Sequence, residues 1–410
     1  MKKNNNLVLL TDSYPYGIGE LFLDIEVEIL SRSFETIYVY SLAEDRTIQR
    51  PFPSNVTLWS SSKISLKKSI KYSARAICFK ELWEDFFAIK SRFKQTPSWL
   101  HFKILMADYI KAANIANDLS HYYNKFTINT NTTIFYSYWH DPKALALALL
   151  KSEKPIKSVA RAHGRDIDYP RHKPAYLPWK NFILTHLDKT VSISDYGLMR
   201  LREVTDIAYH SKLVKFHLGK SNSRFPILNK ASNEVLIGSC SSLIPLKRVD
   251  VMIKVLAKLK LGLVHWVHFG DGPLRLELEN LVDKYEVSFE FQGNVSNGEI
   301  LKYYSENYVD LFINLSSSEG IPVSIMEAQS AGIPVLALDV GGCSEIVNNE
   351  NGFLLPKEAT SSEIAKTISN YILSPSADKE KKRKRSYENW IERFNAEKNY
   401  TEFTEMLIQL

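Results

Sequence analysis

Glu319 and Glu327 stand eight residues apart in SSSEGIPVSIMEAQSAGIPV, on either side of a Gly-Ile-Pro turn. Pro322 suits a first helical turn and Gly332 followed by Pro334 closes the helix, so Glu319 falls in the preceding loop and Glu327 inside the helix. Eight helical residues rise about 12 Å, too far for two carboxylates to share one proton or one ion. They are spaced to bracket an extended ligand. Between them the backbone N–H groups of Gly320, Ile321 and Val323 lie where unfilled donors and the helix dipole favour an anion. An anionic centre with a hydroxyl-bearing group at each end describes a nucleoside diphosphate sugar.

Other residues could serve the same chemistry. Lys247 and Arg248, in IGSCSSLIPLKRVDVMIKVL, follow a strand pattern and could neutralise a departing diphosphate without proton transfer; an exposed basic turn accounts for them equally. Gly270 and Gly272 follow the apolar run VHWVHF and form a turn at which a nucleotide can approach the backbone. FQGNV, with Asn294, ends another strand pattern. His163 and Gly164 come just past the run SVARA, a strand end of the kind that faces a crevice in open α/β sheets. Gly17-Ile18-Gly19 follows LVLL, but Phe22 stands where a hydride-transferring dinucleotide fold needs its third glycine. Asp166-Ile167-Asp168 has a spacing seen among oxygen ligands of divalent ions. So short a pattern arises by chance, and the cationic phosphate site of the second half needs no metal.

These residues require scaffolds. Short apolar runs alternate with longer helix-patterned segments, the pattern of parallel sheets with crossover helices. Strands are expected at 7–10, 36–40, 133–136, 157–160 and 190–193, then at 235–237, 263–268, 287–291, 311–314 and 335–338, one open sheet from each set. The 410 residues, 45% of them hydrophobic, are too many for one core and enough for two. GKSNSRFPILNKASNE, at 219–234, lacks periodicity and carries turn formers. It places the junction there and divides the chain into 1–225, 226–385 and a terminal helix at 386–410.

Composition narrows the classes. A net charge of +6 is too mild to argue for nucleic acid and suits anionic small molecules or an anionic lipid surface. Cys78, Cys240 and Cys343 form no CxxC pair, so neither a zinc site nor a disulfide framework is indicated and a reducing cytoplasm fits. The four apolar residues before Thr11 are too few for a signal peptide, and the longest apolar run, 144–150, is far below the roughly 20 residues of a membrane span. Residues 63–103 are basic and aromatic at once, which fits an anionic lipid surface or ordinary helices with solvated lysines. SPSADKEKKRKR reads as a wet helix face, and the end of the chain has enough apolar positions, among them Trp390, Phe394, Tyr400 and Phe403, to dock.

The stretch SSSEGIPVSIMEAQSAGIPV, with its E-A-x-x-A-G-x-P-V continuation and the later G-G-x-x-E-I-V, resembles the E-x7-E region of the retaining group 1 (family 4) glycosyltransferases of GT-B fold. The resemblance implies that Glu319 faces the donor sugar's hydroxyls and Glu327 the ribose. Lys247 matches the family's R-L-x-x-x-K-G; Ser242 stands at its arginine and Arg248 at its glycine, so Arg248 is assigned part of the missing arginine's role. Gly270 and Gly272 are similar to the family's second glycine turn, and FQGNV, with Asn294, to the segment whose backbone contacts the base. YPYGIGELF is similar to the opening of exopolysaccharide and O-antigen glycosyltransferases, where a loop like that of Gly17 and Gly19 approaches the reaction centre and Glu20 orients it. RAHGRD matches R-x-H-G-x-D, which implies a donor-sugar contact for His163, beside Arg161 and Asp166.

The resemblance therefore implies two facing Rossmann-like, doubly wound domains with a cleft between them. The first would take the acceptor and the second the nucleotide sugar, with the terminal helix crossing back to the first. It implies retaining, metal-independent and cofactor-free transfer from a nucleoside diphosphate sugar to a glycan, undecaprenyl-linked or lipid A-core acceptor in bacterial surface polysaccharide synthesis. The expected location is the cytoplasm, at the inner face of the cytoplasmic membrane. The alternatives are a sugar-nucleotide epimerase of the same architecture and a non-catalytic polysaccharide-assembly scaffold, the latter opposed by the presence of Glu319, Glu327 and Lys247 together.

Overall fold

Leu7, Val8, Leu9 and Leu10 are all fully buried, as a strand covered on both faces requires, and they form the centre of a parallel sheet. The computed structural model describes residues 5–17, 19–126, 128–221, 230, 234–259 and 264–410. These divide into two compact units, Met1–His217 with Glu397–Leu410, and Leu218–Ala396. The expected boundary at 225/226 lies outside the described residues, and the second unit continues to Ala396, past 385.

In the first unit β1 (Asn6–Thr11), β2 (Ile37–Ser41), β3 (Val56–Ser60), β4 (Thr133–Ser137), β5 (Lys157–Ala162), β6 (Lys189–Ser192) and β7 (Leu213–Lys215) pair in the order β3-β2-β1-β4-β5-β6-β7. In the second, β8 (Val235–Cys240), β9 (Val264–Phe269), β10 (Phe289–Gly293), β11 (Leu311–Asn314), β12 (Val335–Leu338) and β13 (Gly352–Leu355) pair in the order β10-β9-β8-β11-β12-β13. Neighbouring strands run parallel throughout. Each sheet reverses its strand order once, at β1/β4 and at β8/β11, where loops leaving the strands' carboxyl ends diverge and open a crevice. The strands that the apolar runs did not reveal, β3, β7 and β13, all lie at sheet edges. Their half-solvated faces leave shorter or more broken apolar runs to read.

Helix Pro142–Lys151 is apolar all round, and Ala144 through Leu150 are buried accordingly. Asp141 caps it, accepting a hydrogen bond from Lys143 N at 2.9 Å. The basic stretch near the end forms helix Ser376–Arg393, with Lys381, Lys384 and Arg385 exposed. Arg383 departs from the wet face expected of it: it is buried, donates to Val309 O at 2.6 Å and lies over the Tyr308 ring at 4.2 Å. Among the described residues no helix is long and apolar enough to cross a membrane.

Arg161, matched by sequence to the site motif around His163, belongs to the core. Its Nη1 donates to Glu26 Oε2 at 2.7 Å, with both side chains fully buried, and Tyr136 OH donates to Glu26 Oε1 at 2.9 Å. The guanidinium lies 4.2 Å from the ring centre of Phe403, on helix Ala396–Ile408, so the C-terminal segment of this unit closes over the pair. Arg161→Met leaves Glu26 buried without its cation and should cost about 3–5 kcal/mol. The Glu26→Leu/Arg161→Met double variant removes both charges and should recover most of that loss in urea unfolding. Equal destabilisation in the two variants would show that packing, not the unpaired charge, sets the cost.

Candidate functional site

Every second-half residue singled out by sequence lies in a loop, or in the helix after it, at the carboxyl end of β8, β9, β10 or β11. Ser317 binds the β8 loop twice, its N and Oγ donating to Leu246 O at 2.9 and 3.2 Å. This contact brings Lys247 Nζ to 2.6 Å from Glu319 Oε1, which also accepts from Asn314 Nδ2 at 3.4 Å. The loop after β12 supports Glu319 from beneath. A Cβ on Gly341 would fall 1.7 Å from Glu319 O, and one on Gly342 would fall 2.2 Å from Gly320 O. Only bare backbone fits there, and Gly341 also has φ +57°.

Pro322 is the N-cap of helix Val323–Ser330, and Gly332, at φ +67°, follows its end. Among the described residues the amides of Gly320, Ile321 and Val323 donate to no protein acceptor. Glu327 lies within this helix and is 3% exposed; its Oε1 is 2.8 Å from Nζ of Lys220, itself 2% exposed. Sequence reading missed Lys220, because nothing near it in the chain marks a partner more than a hundred residues away. The adjoining Gly219 could have drawn attention to it: a Cβ there would fall 2.3 Å from Ala396 Cα. Lys220 N also donates to Phe394 O at 2.9 Å.

Gly270 and Gly272 have a packing role that the sequence did not disclose. Their Cβ atoms would fall 2.0 Å from Ser241 O and 2.6 Å from Leu243 O, so the turn lets the β9 loop press onto the β8 loop. Gly270 N donates to Gly293 O at 2.8 Å, which puts exposed Asn294 in the next loop along. Arg248 caps helix Val249–Leu256 at φ +51°, and among the described residues its side chain makes no hydrogen bond or ion pair. Cys240, at the end of β8, has its thiol pushed up to about 12 by burial, with Glu327 adding to the effect.

In the first unit the residues gather at the β1/β4 reversal. Glu20, at φ +53°, gathers the loop after β1: its carboxylate accepts from the N–H groups of Asp12, Ser13 and Tyr14 at 2.9, 2.6 and 2.7 Å, and from Trp139 Nε1 at 2.6 Å. Gly17 has φ +61°, and a Cβ on Gly19 would fall 2.5 Å from Ser13 Oγ; Ile18 between them lies outside the described residues. Lys143 is buried between Asp141, at 2.7 Å, and Asp12. Burial opposes its charge, but the two carboxylates outweigh it and hold the pKa above the usual lysine value.

His163 follows β5. Its Nε2 donates to Tyr138 O at 3.0 Å, and its ring packs against Tyr138 and Trp139, each centroid 4.6 Å away. Burial first, and then Arg161, pull its pKa down to about 3, so the ring is a neutral, fixed hydrogen-bond former. The carboxylates of Asp166-Ile167-Asp168 serve different partners. Asp166 accepts from His140 N and His163 N, at 3.2 and 3.0 Å, while Asp168 accepts from Tyr196 OH and Arg200 Nη2, at 2.9 and 3.2 Å.

Residues 221–393 match the family model of the glycosyl transferases group 1. The match takes in nearly all of the second unit. It carries Lys247, Arg248, Gly270, Gly272, Asn294, Glu319 and Glu327, whereas Gly17, Gly19 and His163 lie outside the matched residues. The O-antigen biosynthesis glycosyltransferase WbnH of Escherichia coli is 35% identical over 111 residues, 27% of this chain and 30% of its own length. The putative colanic acid biosynthesis glycosyltransferase WcaL of E. coli K12 is 27% identical over 207 residues, 48% of this chain and 50% of its own. The chain thus spans half or less of the length of these relatives. The crystal structure of Anabaena HepE with UDP and glucose covers 99% of this chain and 100% of its own, with a TM-score of 0.66 at 16% identity. That likeness shows the fold, GT-B, with a Rossmann-like sheet in each unit.

The low pKa of His163 has a measurable consequence. A folded value below that of an unfolded histidine means that its burial favours the fold above about pH 6.5, and that this contribution is lost progressively as pH falls below it. In NMR spectra its ring resonances should stay at their neutral positions between about pH 8 and pH 5. A midpoint near the ordinary histidine value would remove the buried, neutral ring from this description.

Proposed function

We propose that the protein is a retaining glycosyltransferase, moving a sugar from a nucleoside diphosphate sugar to a glycan or lipid-linked acceptor in bacterial surface polysaccharide synthesis. The observation that carries the reading is the turn after β11. Three amides that find no protein acceptor among the described residues stand at a helix N-terminus, with Glu319 before them and Glu327 after them, and Lys247 reaches the same loop. The named roles of WbnH and WcaL in surface polysaccharides, and the UDP and glucose of HepE, support the donor class and the setting.

In this mechanism the diphosphate sits on the amides of Gly320, Ile321 and Val323 and competes with Glu319 for Lys247. The carboxylate so released accepts hydrogen bonds from the sugar's hydroxyls, while Glu327 meets the ribose. As the bond from the anomeric carbon to the diphosphate oxygen breaks, Lys247 and Arg248 hold the charge that develops on that oxygen. The acceptor hydroxyl attacks from the same face, and its proton passes to the leaving diphosphate. No metal takes part, so transfer should survive EDTA. Loss of activity on chelation, restored by magnesium or manganese, would overturn this part.

A panel of labelled nucleotide sugars, followed by product analysis, tests the assignment. A transferase consumes donor only with acceptor and keeps the anomeric configuration, an epimerase converts donor alone, and a scaffold turns over none. Lys247→Ala should lower kcat roughly 100- to 1,000-fold with a saturating donor. Because the alanine also leaves Glu319 without its cation, Lys247→Arg is the companion variant; it keeps charge but not shape and should recover part of the rate. Near-normal turnover in Lys247→Ala would take the central cation out of the mechanism.

A further inference from the structure

Helix Leu66–Ile77 has two apolar faces. Tyr72 and Ala76 pack into the core, while Leu66, Ile70 and Ile77 are 78%, 64% and 50% exposed. Spacings of four and seven residues align these three in one stripe, with exposed Lys67 and Lys71 beside it. Trp83 Nε1 donates to Ile77 O at 2.9 Å and joins the stripe to an aromatic cluster. There Trp83 stacks on Phe87 and packs against Phe102, on which Trp99 also stacks. Phe87 and Trp99 are 68% and 67% exposed. Six large apolar side chains in one continuous exposed patch mark a surface that something covers.

Charge decides what covers it. Residues 63–103 hold ten Lys or Arg and three Asp or Glu, a net of +7, while the whole chain carries +6. Outside the segment 42 basic residues face 43 acidic ones. The entire basic surplus is therefore concentrated where the apolar surface is exposed. Lysines interleaved with exposed tryptophan, phenylalanine and leucine match the boundary between lipid phosphates and acyl chains.

The patch adjoins a cavity of about 980 Å3 in the first unit, whose lining holds five cations, Arg46, Lys63, Lys111, Lys143 and Arg165, and three carboxylates, Asp12, Glu44 and Asp141. Ser62 N and Oγ each donate to Asp118 at 2.7 Å, and Lys68 Nζ donates to Ser62 Oγ and Asn114 Oδ1, at 2.9 and 3.1 Å. These bonds fix the start of the helix to helix Trp99–Lys125. Lys63 and Ile64 line the cavity and immediately precede the stripe, so its rim and the patch are one surface.

We infer that the exposed face of residues 63–103 docks the protein on an anionic lipid bilayer, with the cavity at the edge of the contact. That the cavity receives the phosphate-bearing head of a lipid-linked acceptor rests on the glycosyl-transfer reading; the docking does not. The full chain should co-sediment with vesicles of phosphatidylcholine and phosphatidylglycerol, with a blue shift of tryptophan emission, and not with phosphatidylcholine alone. Lys67→Gln/Lys71→Gln should partition roughly thirty-fold less strongly. Leu66→Gln/Ile70→Gln should lose binding while keeping the wild-type Tm. Both variants should keep nucleotide-sugar affinity, so failure here and failure of the proposed reaction are told apart. Absence of binding to the anionic vesicles, or partitioning unchanged in both variants, would overturn the inference. So would a dimer abolished by Leu66→Gln/Ile70→Gln together with no vesicle binding, since a second copy would then cover the face.

Discussion

The candidate donor site depends on a carboxylate held almost out of reach of water. Glu327, at 3% exposure, is met by Lys220 at 2.8 Å, and removal of either partner would leave the other buried without its counterpart. Lys220 is placed by backbone as much as by side chain: its N–H donates to Phe394 O, its carbonyl accepts from Ala396 N, and Gly219 lets the two segments touch. These are the two places where the chain enters and leaves the second unit. One ion pair therefore ties the ends of the second unit to the helix that carries its second glutamate.

The same economy appears around Glu319. Sequence reading took the glycines after β9 as room for a ligand, whereas the structure gives them, and the pair after β12, a prior task. Gly270, Gly272, Gly341 and Gly342 each remove a Cβ that would collide with a neighbouring carbonyl. Loops from β8, β9, β11 and β12 can then stack backbone on backbone, and the polar groups at their tips converge without long side chains. A glycine pattern that looks like ligand approach is also what close loop packing demands, and sequence alone does not separate the two causes.

What was legible followed from periodicity and spacing. The central strands β1, β4, β8, β11 and β12 were readable because burial on both faces makes them continuous apolar runs. The position of Glu319 in a loop and Glu327 in a helix was readable from Pro322 and Gly332. Long-range ion pairs were not. Lys220 and Arg383 have sequence surroundings that suit exposed cations and Arg161 sits in a site-like motif, and only the packing of distant segments reveals that Glu327, Val309 O and Glu26 receive them. Local sequence records what a residue can do, and burial decides which use is made of it.

Charge is consequently used in two opposite ways in this chain. Buried cations such as Lys220, Arg161 and Lys143 answer carboxylates inside the fold and fix the sites. The lysines of residues 63–103 stand beside exposed apolar groups, in a segment whose net charge exceeds that of the whole protein. A basic surplus spread evenly over the surface would help solubility and attract any anion weakly. Concentrated on one apolar face it has direction, because attraction to an anionic surface and burial of Leu66, Ile70 and Trp99 then act on the same approach.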